Sequence, residues 1–226
     1  MQYVIIGNSA AAIGAVEGIR KQDSTGKILL LSSEQYHTYS RPLISYYLEG
    51  KVDENQMRYR EYDFYKVNNV ETRLGTKVFW IDFNSKEVVL ENNERIQYKK
   101  LLIATGGNPF VPHMEGLGKA GIYTFLSLDA AKSIKNVCFQ GAKAVVIGAG
   151  LIGLKVAEAL AKLNVDVTVI ELANRVLSSV LDETAAGIVQ KHLENHGIKF
   201  FLNNSVKWFN GDWAVNSVTL NDDYWL

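Results

Sequence analysis

A chain of 226 residues, 47% apolar and 21% charged, can bury one large core or two smaller ones. Its 24 basic side chains are matched by 24 acidic ones, which excludes a basic field for recruiting nucleic acid or an anionic membrane surface. One cysteine excludes an internal disulfide and no apolar run is long enough to span a bilayer, so the expected setting is the reducing cytoplasm.

The first element is "VIIGNSAAAIGAVEGI", Val4 to Ile19, an apolar strand, a small-residue turn and a helix with Ala12, Ile13, Val16 and Ile19 on one face. Glu17 and Arg20 in this stretch, and the lack of a basic leader, argue against a secretory signal. A second buried strand follows in "KILLLSSE". From Val70 to Pro112 the chain reads as a meander broken by Asn-Ser and Asn-Asn turns, returning through "KKLLIAT" to a buried strand. Two of the three prolines fall between Asn108 and Pro112 and mark a boundary, giving units of 1–110 and 111–226.

The pattern then repeats. "AVVIGAGLIGLKVAEAL", from Ala144, is again strand, turn and helix, with Val156, Leu160 and Leu163 on one face, and "DVTVIE" is its second strand. An amphipathic helix closed by Gly197 leads to a further strand, and the tail from Val206 reads as a meander with an Asn-Gly turn. The expected fold class is α/β: two Rossmann-like, three-layer ββα nucleotide-binding units with parallel sheets and antiparallel meander insertions.

The second cradle carries the clearer chemistry. Gly148, Gly150 and Gly153 form G-x-G-x-x-G between a strand and a helix, and Glu171 follows about 20 residues after the last glycine, where a ribose hydroxyl is held. Leu151 and Ile152 complete that turn. The first cradle keeps Gly7 but has Ser9 and Ala12 at the second and third glycine places. Alanine is tolerated at the third place, while serine puts a β-carbon where a phosphate approaches.

The order of "VIIGNSAAA", "YSRPLISYYLEG", "TKVFWID", "KKLLIATGGNPFVP" and "VVIGAGLIGL" resembles the pyridine nucleotide-disulfide oxidoreductase superfamily, closest to rubredoxin or ferredoxin reductases and the flavin part of NADH-dependent nitrite reductase. The resemblance implies FAD in the first cradle and NADH, with NADPH less favoured, in the second. It assigns the FAD pyrophosphate to Gly7, Ser9, Ala11 and Ala12, the ribose to Ser33 or Glu34, the flavin flank to Arg41 and Pro42, the adenine to the Val78 backbone, and closure over the cofactor to Ala104, Thr105 and Gly106. The expected reaction is hydride transfer from NADH to FAD and electron transfer to an acceptor such as rubredoxin, ferredoxin, oxygen or a nitrite-reducing module. The alternative is a nucleotide-binding fragment without turnover.

The chain also departs from that family. No cysteine stands between Ser40 and Leu43, Tyr46 replaces a lysine frequent in relatives, and Lys155 replaces a frequent glutamate; no residue is assigned a catalytic role. His192 and His196 lie one turn apart but lack a third ligand, so no metal is expected. The apolar end "YWL", reached where another strand is anticipated, suggests a chain truncated within its second unit.

Overall fold

The computed structural model describes residues 1–226, whose contacts form two units: Met1–Pro42 with Asp53–Asn108, and Leu43–Val52 with Pro109–Leu226. In the first unit, strand β1 (Tyr3–Ile6), helix α1 (Ala10–Gln22) and strand β2 (Ile28–Ser32) follow one another. A 3₁₀ turn (Arg41–Leu43) and the short helix α2 (Ile44–Leu48) come next in sequence, then α3 (Phe64–Val67) and strands β3 (Val70–Leu74), β4 (Val78–Asp82), β5 (Glu87–Leu90), β6 (Arg95–Gln97) and β7 (Lys100–Ile103). The parallel sheet runs β3-β2-β1-β7, and β4-β5-β6 form a separate antiparallel sheet.

Alternation along β1 and β2 builds three layers. Ile5, Ile28 and Leu30 pack with Ala12, Ile13 and Val16 of α1, while Val4, Ile6, Leu29 and Leu31 pack with Val88, Leu90 and Ile96 of the antiparallel sheet. Each fully buried Leu or Ile contributes about 1.5–3 kcal/mol, which explains why β2, buried at every position, is apolar throughout Ile28–Leu31 before its last residue, Ser32. Arg20 fastens the end of α1 by donating to the carbonyls of Asp23, Gly26, Asn68 and Asn69.

The second unit holds α4 (Leu128–Val137), β8 (Lys143–Ile147), α5 (Leu151–Lys162), β9 (Asp166–Ile170), α6 (Glu183–Glu194), β10 (Lys199–Phe201) and the antiparallel pair β11 (Val206–Asn210) and β12 (Ser217–Leu220). Its parallel sheet runs β10-β9-β8, with Val156, Ala157 and Leu160 of α5 packed near Val167, Val169 and Ile198. Leu48 of α2 is fully buried in this core, which is why residues 43–52 group with the second unit although they interrupt the first in sequence.

Two local expectations differ from what is seen. β7 and β8 are not buried on both faces: Val145 and Ile147 are exposed on one face of β8 while Ala144 and Val146 pack against the core on the other, and Leu102 and Ile103 of β7 are exposed as well. Asn210-Gly211 does not make a two-residue hairpin turn; β11 and β12 are joined by residues 211–216, with Gly211 at φ +116°. The apolar tail turns back to pair antiparallel with β12 through the bridge between Thr219 and Trp225, with Val218 and Leu226 exchanging backbone hydrogen bonds at 3.0 Å. No helix is long and apolar enough to cross a membrane.

Candidate nucleotide-binding sites

Four helices have ten or more residues, and their N-termini divide into two kinds. Ser127 caps α4 by accepting from Ala130 N, Asp182 caps α6 by accepting from Ala185 N, and each has an acidic residue in its first turn. At α1 and α5 the N-cap residues, Ser9 and Gly150, provide no capping side-chain bond, and neither first turn is acidic. The first amides of these two helices therefore keep their donors and their partial positive charge for a group from outside.

In the second cradle each glycine has its own cause. Gly148 sits at φ +98°, a conformation side chains disfavour. A Cβ at Gly153 would collide with the carbonyl of Gly148, so this glycine serves helix-on-strand packing. Gly150 has φ −79° and ψ −179°, open to any residue, and a Cβ there would meet nothing within 4 Å. No contact within the chain requires that glycine, which fits an approaching pyrophosphate. Leu151 and Ile152 are exposed beside it. The Glu171 carboxylate accepts from Ala149 N at 2.6 Å and Ala173 N at 2.8 Å, which holds it at the mouth of the cradle.

Gly148 and Glu171 line a cleft of about 550 Å³ together with Asn204–Trp208 and Pro112–Glu115. The sequence reading missed the Asn204–Trp208 wall. The repeat carried the signal: Val78 opens β4 and Val206 opens β11, and both pairings shift register just after that valine, before Trp80 and Trp208. The role assigned to Val78 thus has a counterpart at Val206.

The first cradle is tighter. Gly7 has φ +123°, and a Cβ there would strike the carbonyl of Ala104, whose own amide bonds to Ile6 O at 2.7 Å. Ala11 is exposed, and the Ala12 side chain is fully buried against β1, as close helix-on-strand packing at the third fingerprint place requires, while its amide is among the first of α1. Ser33 is exposed at the end of β2, whereas Glu34 is engaged, accepting from Tyr39 Oη and pairing with Arg41. The polar recess lined by Asn8, Ser9, Ser32, Glu34, Tyr36, Tyr39 and Arg41 measures about 20 Å³, so a ribose reaching Glu34 competes with Arg41. Pro42, Thr105 and Gly106 are exposed, and Val78 begins β4 opposite Leu90. The uncapped α1, the left-handed turn and the adjacent carboxylate fit a nucleotide diphosphate.

Other singled-out residues have local partners. Lys155 pairs with Glu158 at 2.9 Å, which holds its pKa above the usual lysine value, and lies 5.7 Å from the Tyr46 ring. Cys138 ends α4, where burial pushes its thiol up and disfavours the nucleophilic thiolate. The rings of His192 and His196 lie 4.5 Å apart, tilted by 46°, with the latter donating to the former's carbonyl, and no three His, Cys, Asp or Glu residues gather as a metal site.

Two parallel βαβ units, each with an uncapped helix opening on a glycine turn and an acid at the end of the next strand, define a two-dinucleotide fold. The chain belongs to the pyridine nucleotide-disulphide oxidoreductase family, whose model matches residues 1–224. It is 35% identical over 215 residues to a rubredoxin-NAD(+) reductase of Pseudomonas putida, covering 93% of this chain and 56% of that protein. It is 30% identical over 222 residues to the assimilatory nitrate reductase electron transfer subunit of Bacillus subtilis (strain 168), covering 98% of this chain and 29% of that protein. In the covalent putidaredoxin reductase–putidaredoxin complex, a chain 28% identical superposes with a TM-score of 0.92, over 100% of this chain and 56% of the other. The chain thus spans about half the length, or less, of these relatives.

Proposed function

We propose that the chain binds FAD at the first cradle and NADH at the second, within an FAD-dependent NAD(P)H oxidoreductase. The observation that carries this reading is that α1 and α5, alone among the long helices, have no capping side-chain bond or first-turn acid, each beside a glycine turn of a βαβ unit. The first turn, Gly7 to Ala11, and the amides of α1 would hold the FAD pyrophosphate. Ser33 or Glu34 would take the ribose, the Val78 backbone the adenine, Arg41 and Pro42 the flavin flank, and Ala104–Gly106 the closing contact. At the second cradle Gly148, Gly150, Leu151, Ile152 and Gly153 would hold the NADH pyrophosphate, Glu171 the ribose hydroxyls, and the Asn204–Trp208 wall the adenine end.

When bound, the flavin would accept a hydride from the nicotinamide and pass electrons onward. The chain's residues bind and orient; none is required as acid, base or nucleophile. The acceptor in this reading is a redox protein such as rubredoxin or ferredoxin, oxygen, or a nitrite-reducing module, and the setting is cytoplasmic. Anaerobic addition of NADH to the FAD-loaded protein tests the reading through absorbance near 450 nm. Bleaching supports it, and retained FAD that stays oxidised leaves the nucleotide-binding module without turnover.

A further inference from the structure

The two cradles are anchored in different ways. In the second, the middle residue of the turn, Ala149, is tied by its backbone amide to Glu171 at 2.6 Å. In the first, the acid at the corresponding strand end, Glu34, is engaged by Tyr39 and Arg41. The middle residue there, Asn8, is held by its side chain instead. Its Oδ1 accepts from Tyr65 Oη at 2.7 Å and its Nδ2 donates to Tyr36 O at 3.1 Å.

Tyr65 is well placed as an anchor. It lies on α3, next to Phe64, which is buried in the core under α1, and its ring packs 4.7 Å from His37. Its hydroxyl donates to Asn8 and accepts from Thr38 N at 3.0 Å, so one oxygen joins α3, the cradle turn and the loop after β2. Burial pushes its pKa up, which keeps the phenol protonated and able to donate.

We infer that Tyr65 is a positioning residue for the first cradle: through Asn8 it fixes the Gly7–Ser9 turn so that the first amides of α1 face an incoming pyrophosphate, where the second glycine of the fingerprint is absent. The inference rests on the FAD reading of this cradle. Ser9 is in an extended conformation and gives no capping bond, so nothing on its own side chain sets the turn. The Asn8–Tyr65 bond supplies that constraint from outside the turn.

The test is FAD affinity of the apoprotein, followed by flavin fluorescence, for wild type, Tyr65→Phe, Asn8→Ala and the double variant, with NAD⁺ affinity measured on the same samples. The expected result is about a tenfold weaker FAD Kd in each single variant, no further loss in the double variant, and unchanged NAD⁺ affinity. Loss of FAD and NAD⁺ binding together in Tyr65→Phe, or additive single losses, would reduce Tyr65 to a structural role and overturn the inference. So would FAD affinity within twofold of wild type for either single variant. If Tyr65→Phe does not fold, Asn8→Ala alone decides by the same FAD and NAD⁺ criteria. Wild type that binds NAD⁺ but no FAD overturns the reading of the cradle itself, a distinguishable failure.

Discussion

The amide of Ala149 donates to the carboxylate of Glu171 at 2.6 Å, so the acid closing β9 is locked to the turn that opens α5. A 2′-phosphate placed there would meet a fixed negative charge. Arg175, the cation nearest in sequence, is spent elsewhere: it donates to the carbonyls of Leu181 and Ser178 and to Asn174. NADH should therefore bind at least about tenfold more tightly than NADPH, and Glu171→Ala should narrow that ratio. Fluorescence titration with both nucleotides checks this, and an unchanged ratio in the variant would count against Glu171.

Gly150 and Gly153 should respond oppositely to alanine. At Gly150 the new Cβ enters open space at an allowed backbone conformation, so folding stability should change by no more than about 0.5 kcal/mol while NADH affinity falls about tenfold or more. At Gly153 it collides with the Gly148 carbonyl, and stability should fall by about 1–3 kcal/mol. Urea denaturation paired with NADH titration separates the two effects.

Gly7→Ala combines a positive φ with a clash against the Ala104 carbonyl. Strain and overpacking together should cost about 2–4 kcal/mol in urea unfolding, with FAD present or absent. A variant as stable as wild type would mean that β1 and β7 separate there more easily than their hydrogen bonds imply.

Tyr65 predicts a pH dependence with a definite sign. Its pKa is raised in the folded protein, first by burial, so its contribution to stability is fully present below the unfolded value of 10.0 and is lost as pH rises through the folded value. The stability difference between wild type and Tyr65→Phe should be constant across neutral pH and shrink only above about pH 10. Denaturant unfolding of both proteins across that range measures it.

Much of this architecture was legible because βαβ units write themselves locally. The buried run of β2, the helix faces of α1 and α5 and the G-x-G-x-x-G of the second cradle are each set by neighbours within a few residues. The exposure of β7 and β8 was not, because whether a layer covers a given face of a strand is decided by the tertiary arrangement and not by strand composition. Nor was the place of Leu48: an apolar residue in a short helix does not say which core will bury it. The Asn8–Tyr65 bond joins positions 57 apart, and an Asn and a Tyr at that separation carry no periodic signal. The cleft wall at Asn204–Trp208 was readable in principle, through its match to the strand that begins at Val78.

The assignment of one nucleotide to each cradle is tested most directly by amide hydrogen exchange on the whole chain with FAD alone, NAD⁺ alone, and both. FAD should protect Gly7–Ala12 and Ala104–Gly106 and leave Gly148–Gly153 unchanged, while NAD⁺ should protect Gly148–Gly153 and Asn204–Lys207 and leave the first cradle unchanged. Protection of the same cradle by both ligands, or of neither cradle by saturating FAD and NAD⁺, would contradict the account.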